Sequence, residues 1–80
     1  MFLNKKCQEV KETTGFDDKI MLEVRTIYRG IKKFTHGTTV ANMMLEEVKK
    51  ANNQSVWVVL KSWKDALQEA KELREAFGAL

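Results

Sequence analysis

Apolar residues recur along the last third of the chain at Val56, Val59, Trp63, Ala66, Ala70, Leu73, Phe77 and Leu80, with spacings of three and four in strict alternation. A helix turns about 100° per residue, so this spacing draws one apolar line down its whole length. Leu60 and Leu67 widen the line on one side, while Lys61, Lys64, Asp65, Gln68, Lys71, Glu72 and Glu75 form the polar face opposite. A long amphipathic helix from Ser55 to Leu80 is predicted, and it requires something to cover its apolar line.

The same pattern recurs upstream in shorter form. Leu3, Cys7 and Val10 share one helical face while Lys5, Gln8, Glu9 and Glu12 point away, which predicts a first helix from Phe2 to about Thr13, ended near Gly15. Asp17 or Asp18 can cap a second helix by accepting backbone N–H groups at its start. Its seam is Ile20, Val24, Ile27, Ile31 and Phe34, and it ends at Thr35 to Gly37. Gly30 falls inside this run at a cost of about 1 kcal/mol relative to Ala, so a break or kink is expected there. Thr38 or Thr39 can cap a third helix to about Ala51, with Val40, Ala41, Met44, Leu45, Val48 and Ala51 on one side. Asn52 to Gln54 is a short polar link, and Ser55 is the expected cap of the fourth helix. Links this short favour antiparallel neighbours.

The pattern therefore predicts an all-α fold, a compact bundle of three to four amphipathic helices with a long C-terminal helix, as one domain over residues 1–80. A rival pattern exists. Val56 to Leu60 is an unbroken apolar run, and Leu22, Val24, Thr26 and Tyr28 alternate, which would give a small α+β fold with strands near 20–28 and 56–60. The longer three-and-four seams favour helices.

Composition sharpens this picture. The chain has no proline and four glycines in 80 residues, a shortage of turn formers that disfavours a sheet with many tight turns. Hydrophobic residues at 44% and charged residues at 31% describe a chain that folds around a core. At this length folding buries only about 60% of the surface of the unfolded chain, so the stability margin is thin. Self-association through the long C-terminal line would widen it, and a two-fold homodimer is the expected form. No apolar run approaches a membrane span, and the first residues lack the apolar stretch of a secretory signal. With Cys7 as the single cysteine there is no internal disulfide, and the cytoplasm is the expected location.

Little in the chain points to catalysis. One His and one Cys, His36 and Cys7, cannot supply a structural zinc site, and no carboxylate and His pair stands at helical spacing. His36 has no nucleophile or orienting partner in view and reads as a helix-end residue. Cys7 lies on the apolar line of the first helix, although Lys5, Lys6 and Lys11 would lower its pKa if it were exposed. There is no glycine-rich phosphate loop, Asp17-Asp18 reads as a cap, and Glu46-Glu47 as a solvated surface. An enzyme is not expected, nor is a cofactor.

Charge and misplaced apolar residues are more informative. The formal net charge is +3, and all of the excess lies in residues 1–36, where eight Lys or Arg face five Asp or Glu. On a helical second segment Arg25, Arg29 and Lys32 form a stripe opposite the seam, with Tyr28 beside it and Lys33 and Lys19 on the other flank. Such a stripe can contact phosphates, and Tyr28 can stack on a base. The plainer reading is the wet face of a helix, since three cations are few for a nucleic-acid binder. A helix-turn-helix over Thr38 to Trp63 would offer little cationic or amide chemistry at the start of its second helix. A basic amphipathic second helix would also suit a membrane surface, but its apolar seam is required for the core. Trp57 lies about 165° from the centre of the C-terminal seam, and Met43 stands outside the apolar arc of the third helix. Trp and Met favour interfaces, which makes these two the candidate protein-binding residues. The expected function is a small non-enzymatic interaction module, an inhibitor, adaptor or regulatory subunit that binds a partner protein. The alternative is a nucleic-acid-binding regulator using Arg25, Tyr28, Arg29 and Lys32.

Overall fold

Four α-helices make up residues 2–78, the part of the chain that the computed structural model describes, with side chains described from Lys5 to Gly78. They are α1 (Phe2–Thr14), α2 (Asp18–Thr35), α3 (Thr39–Lys50) and α4 (Val56–Gly78). The all-α bundle with a long last helix is thus the fold, and segments 20–28 and 56–60 lie inside α2 and α4 rather than in strands. Of the expected seam residues, Leu80 and the side chain of Leu3 lie outside what is described.

Local chemistry sets the helix ends. Gly15 turns left-handed at φ 73° after α1, and its N–H donates to the Lys11 carbonyl at 2.8 Å. Phe16 follows it into the core, and the Asp17 carboxylate accepts the Ile20 N–H at 2.9 Å to cap α2. His36 closes α2 in the left-handed region at φ 57°, its N–H donating to the Lys32 carbonyl. This accounts for His36 as a chain-reversal residue. Two expected caps are made differently. Thr38 precedes α3 without a side-chain cap bond. The Ser55 hydroxyl turns back to accept the Asn52 N–H at 3.0 Å, while the Asn52 amide oxygen accepts the N–H groups of Gln54 and Ser55, so the link closes on itself.

The core is centred on α2, which buries Ile20, Met21, Val24, Ile27, Tyr28 and Ile31 and is packed against by the other three helices. Cys7 and Val10 come from α1, Ala41, Met44, Leu45 and Val48 from α3, and Val56 and Leu60 from α4. One polar junction ties three helices together: the Asn42 amide oxygen accepts from Lys6 Nζ at 3.0 Å and from the Tyr28 hydroxyl at 3.4 Å.

The kink expected at Gly30 does not form, and α2 runs through it unbroken. A Cβ placed there would meet Leu67 Cδ2 at 2.9 Å, so the glycine serves the close approach of α4 to the α2 backbone. Four residues on, the Arg74 guanidinium lies 4.2 Å from the Phe34 ring centre. Both contacts advance together along the two helices, so α2 and α4 run parallel, with α3 antiparallel between them in sequence.

Candidate functional site

The position of α4 on the bundle follows from which shoulder of its apolar line the other helices cover. Val56 and Leu60 are buried, and Val59, Trp63 and Leu67 pack partly against the core. The opposite shoulder of the distal half is bare: Ala66 is exposed, Leu73 is 52% exposed and Phe77 71%. The sequence left this line in need of a cover, with self-association expected along it. On the bundle α2 takes the shoulder that Leu60 and Leu67 widen, as far as the contact of Phe34 with Arg74, and the other shoulder is left bare at Ala66 and beyond Ala70.

That bare shoulder borders a shallow groove of about 150 Å³, lined by Ile31 and Phe34 of α2, Val40 of α3, and Trp63, Ala66 and Ala70 of α4. The Trp63 indole N–H donates to a Glu47 carboxylate oxygen, fixing the ring across the α3–α4 junction. Met43 is three residues after Val40 and four before Glu47, so it stands on the same side of α3 as both, and it is 58% exposed. Met43 therefore stands on the side of α3 that borders the groove through Val40. Trp57 lies away from the groove. It is 41% exposed on the opposite flank of α4, seven and fourteen residues before Lys64 and Lys71, and hence on one line with them.

The cations divide in a corresponding way. Arg25, Arg29 and Lys32 are exposed, but the Tyr28 side chain is 2% exposed, so the tyrosine expected to stack on a base is a core residue. The 100° rotation places Tyr28 on the edge of the buried face, and α1 and α3 close over it. Arg25 sits apart from the others in a hollow beside Cys7, Lys11, Asp18 and Met21. Arg29 and Lys32 join Lys33 and His36 in a second hollow. Lys33 and His36 also line a third hollow, whose other wall is Lys71, Arg74 and Glu75 from α4. The ion pairs among the described residues involve Lys11, Lys49 and Lys61, and none of Arg25, Arg29, Lys32, Lys33, Lys71 or Arg74.

Cys7 is buried, and burial pushes its thiol above the ordinary value against the opposing hydrogen bond and charge of Arg25. The thiol thus serves packing, as its place on the apolar line of the first helix led one to expect. Burial also raises Tyr28, with the Cys7 charge adding to it. No three His, Cys, Asp or Glu side chains converge among the described residues. Leu73, Phe77 and the pairing of Lys33 with Lys71 and Arg74 were not singled out from sequence. The available signals were an apolar line longer than its covering helices and the heptad Trp57, Lys64, Lys71. Comparisons of the chain with protein-family models, with curated proteins and with solved structures returned no match.

Proposed function

We propose that this protein is an interaction module, an adaptor, inhibitor or regulatory subunit, that binds a helix of a partner protein along the bare shoulder of α4. The observation that supports it is the line of exposed Ala66, Leu73 and Phe77 on α4, beginning at the groove, with Val40 and Met43 exposed on α3. Large apolar groups held on a rigid helix lose little entropy when covered, which favours a helix-in-groove mode of binding. Trp63 and Phe34 at the floor of the groove supply the aromatic anchors on which such interfaces rest. A reducing compartment such as the cytoplasm suits a chain with one buried free thiol. No described helix is long and apolar enough to cross a membrane.

The test is a tagged capture from nuclease-treated lysate with the wild type and the double variant Leu73→Glu/Phe77→Glu. A stoichiometric protein recovered by the wild type and lost with the variant is expected. Both positions are exposed, so the variant should melt within about 1 kcal/mol of the wild type. Equal recovery by both proteins would sink this reading. Sedimentation of the purified chain separates the remaining occupant, a second copy: an 18–19 kDa species, about twice the 9.3 kDa chain, that the double variant dissociates would make the partner helix α4 itself.

A further inference from the structure

We infer that the cationic face shared by α2 and α4 binds single-stranded nucleic acid, holding the phosphate backbone between the helices and stacking a base on Trp57. The two helices run parallel, and Gly30 brings them close enough for their outer flanks to form one surface. Lys33 and His36 belong to both hollows on this surface, so the charge is continuous from Arg29 across Lys33 to Lys71 and Arg74. Glu75 is the one carboxylate lining either hollow. No described acid lies within ion-pair distance of Arg29, Lys33, Lys64, Lys71 or Arg74, which leaves their donors for a ligand. Arg74 is held in place over Phe34 without using its N–H groups on a carboxylate.

The aromatic ring distinguishes nucleic acid from a merely anionic partner. Trp57, Lys64 and Lys71 recur every seven residues, so the exposed indole stands about 21 Å up the same line of α4 from Lys71. A flat ring at one end of a cationic track is the arrangement that sequence-tolerant binders of single strands use, with bases stacked on the ring and phosphates along the cations. This face lies across α4 from the apolar shoulder, and the inference does not rest on the protein-binding reading.

The experiment is fluorescence anisotropy with a labelled oligo(dT) of twenty nucleotides, a duplex of the same length, and the full chain. Four to five phosphate contacts should weaken single-strand binding by about 50- to 130-fold between 50 and 200 mM salt. Lys33→Glu/Lys71→Glu should abolish it, Trp57→Ala should weaken it roughly tenfold, and Leu73→Glu should leave it unchanged. In a Trp63→Phe background the oligonucleotide should quench the emission of Trp57. No single-strand binding at 50 mM salt, or binding that the charge variant leaves intact, overturns the inference. Equal affinity for the duplex with no effect of Trp57→Ala overturns it too, since attraction to any polyanion would then suffice.

Discussion

Gly30 is where a single residue has the widest consequence. As a helix interior residue it costs about 1 kcal/mol relative to Ala, yet an added Cβ would lie 2.9 Å from the tip of Leu67. Leu67 is flexible and only partly buried, so a methyl group can be accommodated by a small turn of its side chain. Gly30→Ala should therefore stay within about 1 kcal/mol of the wild type in urea denaturation, propensity and crowding nearly cancelling. Gly30→Leu cannot be absorbed this way. It should destabilise by about 2 kcal/mol and lift α4 from α2; equal stability of the two variants would show that the close approach is not what the glycine serves. From sequence the same residue suggested a kink, because a glycine that permits packing and one that permits bending look alike until the neighbouring helix is in place.

Among the elements, α4 is two things in one helix. Its first half completes the core through Val56 and Leu60, while beyond Ala70 every described side chain is exposed. Leu60→Ala should cost about 3 kcal/mol, the usual price of a core cavity. Leu73→Ala, on the same helix and of the same chemistry, should change stability by less than about 0.5 kcal/mol. Thermal melts of the two variants decide this, and a comparable loss in Leu73→Ala would mean that the shoulder is covered in the free protein. The three-and-four spacing predicted α4 and its amphipathic character without showing the division, since both halves have the same periodicity. Within the described residues the predicted helix boundaries hold to within a residue or two, because caps and seams are local. The cap at Ser55 differs because side chains with hydroxyls and amides can satisfy neighbouring backbone groups in more than one way.

The whole molecule has an asymmetric response to pH. Burial keeps Cys7 and Tyr28 protonated above their ordinary values of 9.0 and 10.0, so the folded chain holds these protons when the unfolded chain releases them. Lys49 is raised above 10.5, first by its hydrogen bond to Glu9, and so keeps its proton longer in the fold as well. In each case the folded state binds more protons than the unfolded state once pH exceeds the ordinary value, so stability is full below about pH 9 and falls as pH rises. Asp18, lowered by its hydrogen bond to Lys11, acts in the other direction: its contribution is present above the ordinary value of 3.8 and lost as pH falls. That carboxylate is fully exposed, and solvent screens it. The denaturation midpoint should accordingly drop between pH 8 and pH 10.5, with a smaller drop in Cys7→Ala; an identical alkaline loss in that variant would remove the thiol from the account.

The sequence by itself determined the helices, their amphipathic faces, the excess charge of α2, and the two anomalies at Met43 and Trp57. All of these follow from interactions among residues a few positions apart, which spacing records directly. Tertiary structure decided which shoulder of α4 is covered, that Lys33 of α2 meets Lys71 and Arg74 of α4, and that Tyr28 belongs to the core. Those outcomes depend on how α1, α3 and α4 settle on α2. That packing joins residues far apart in the chain, such as Leu67 and Gly30 or Tyr28 and Asn42, which are adjacent only once the bundle has formed.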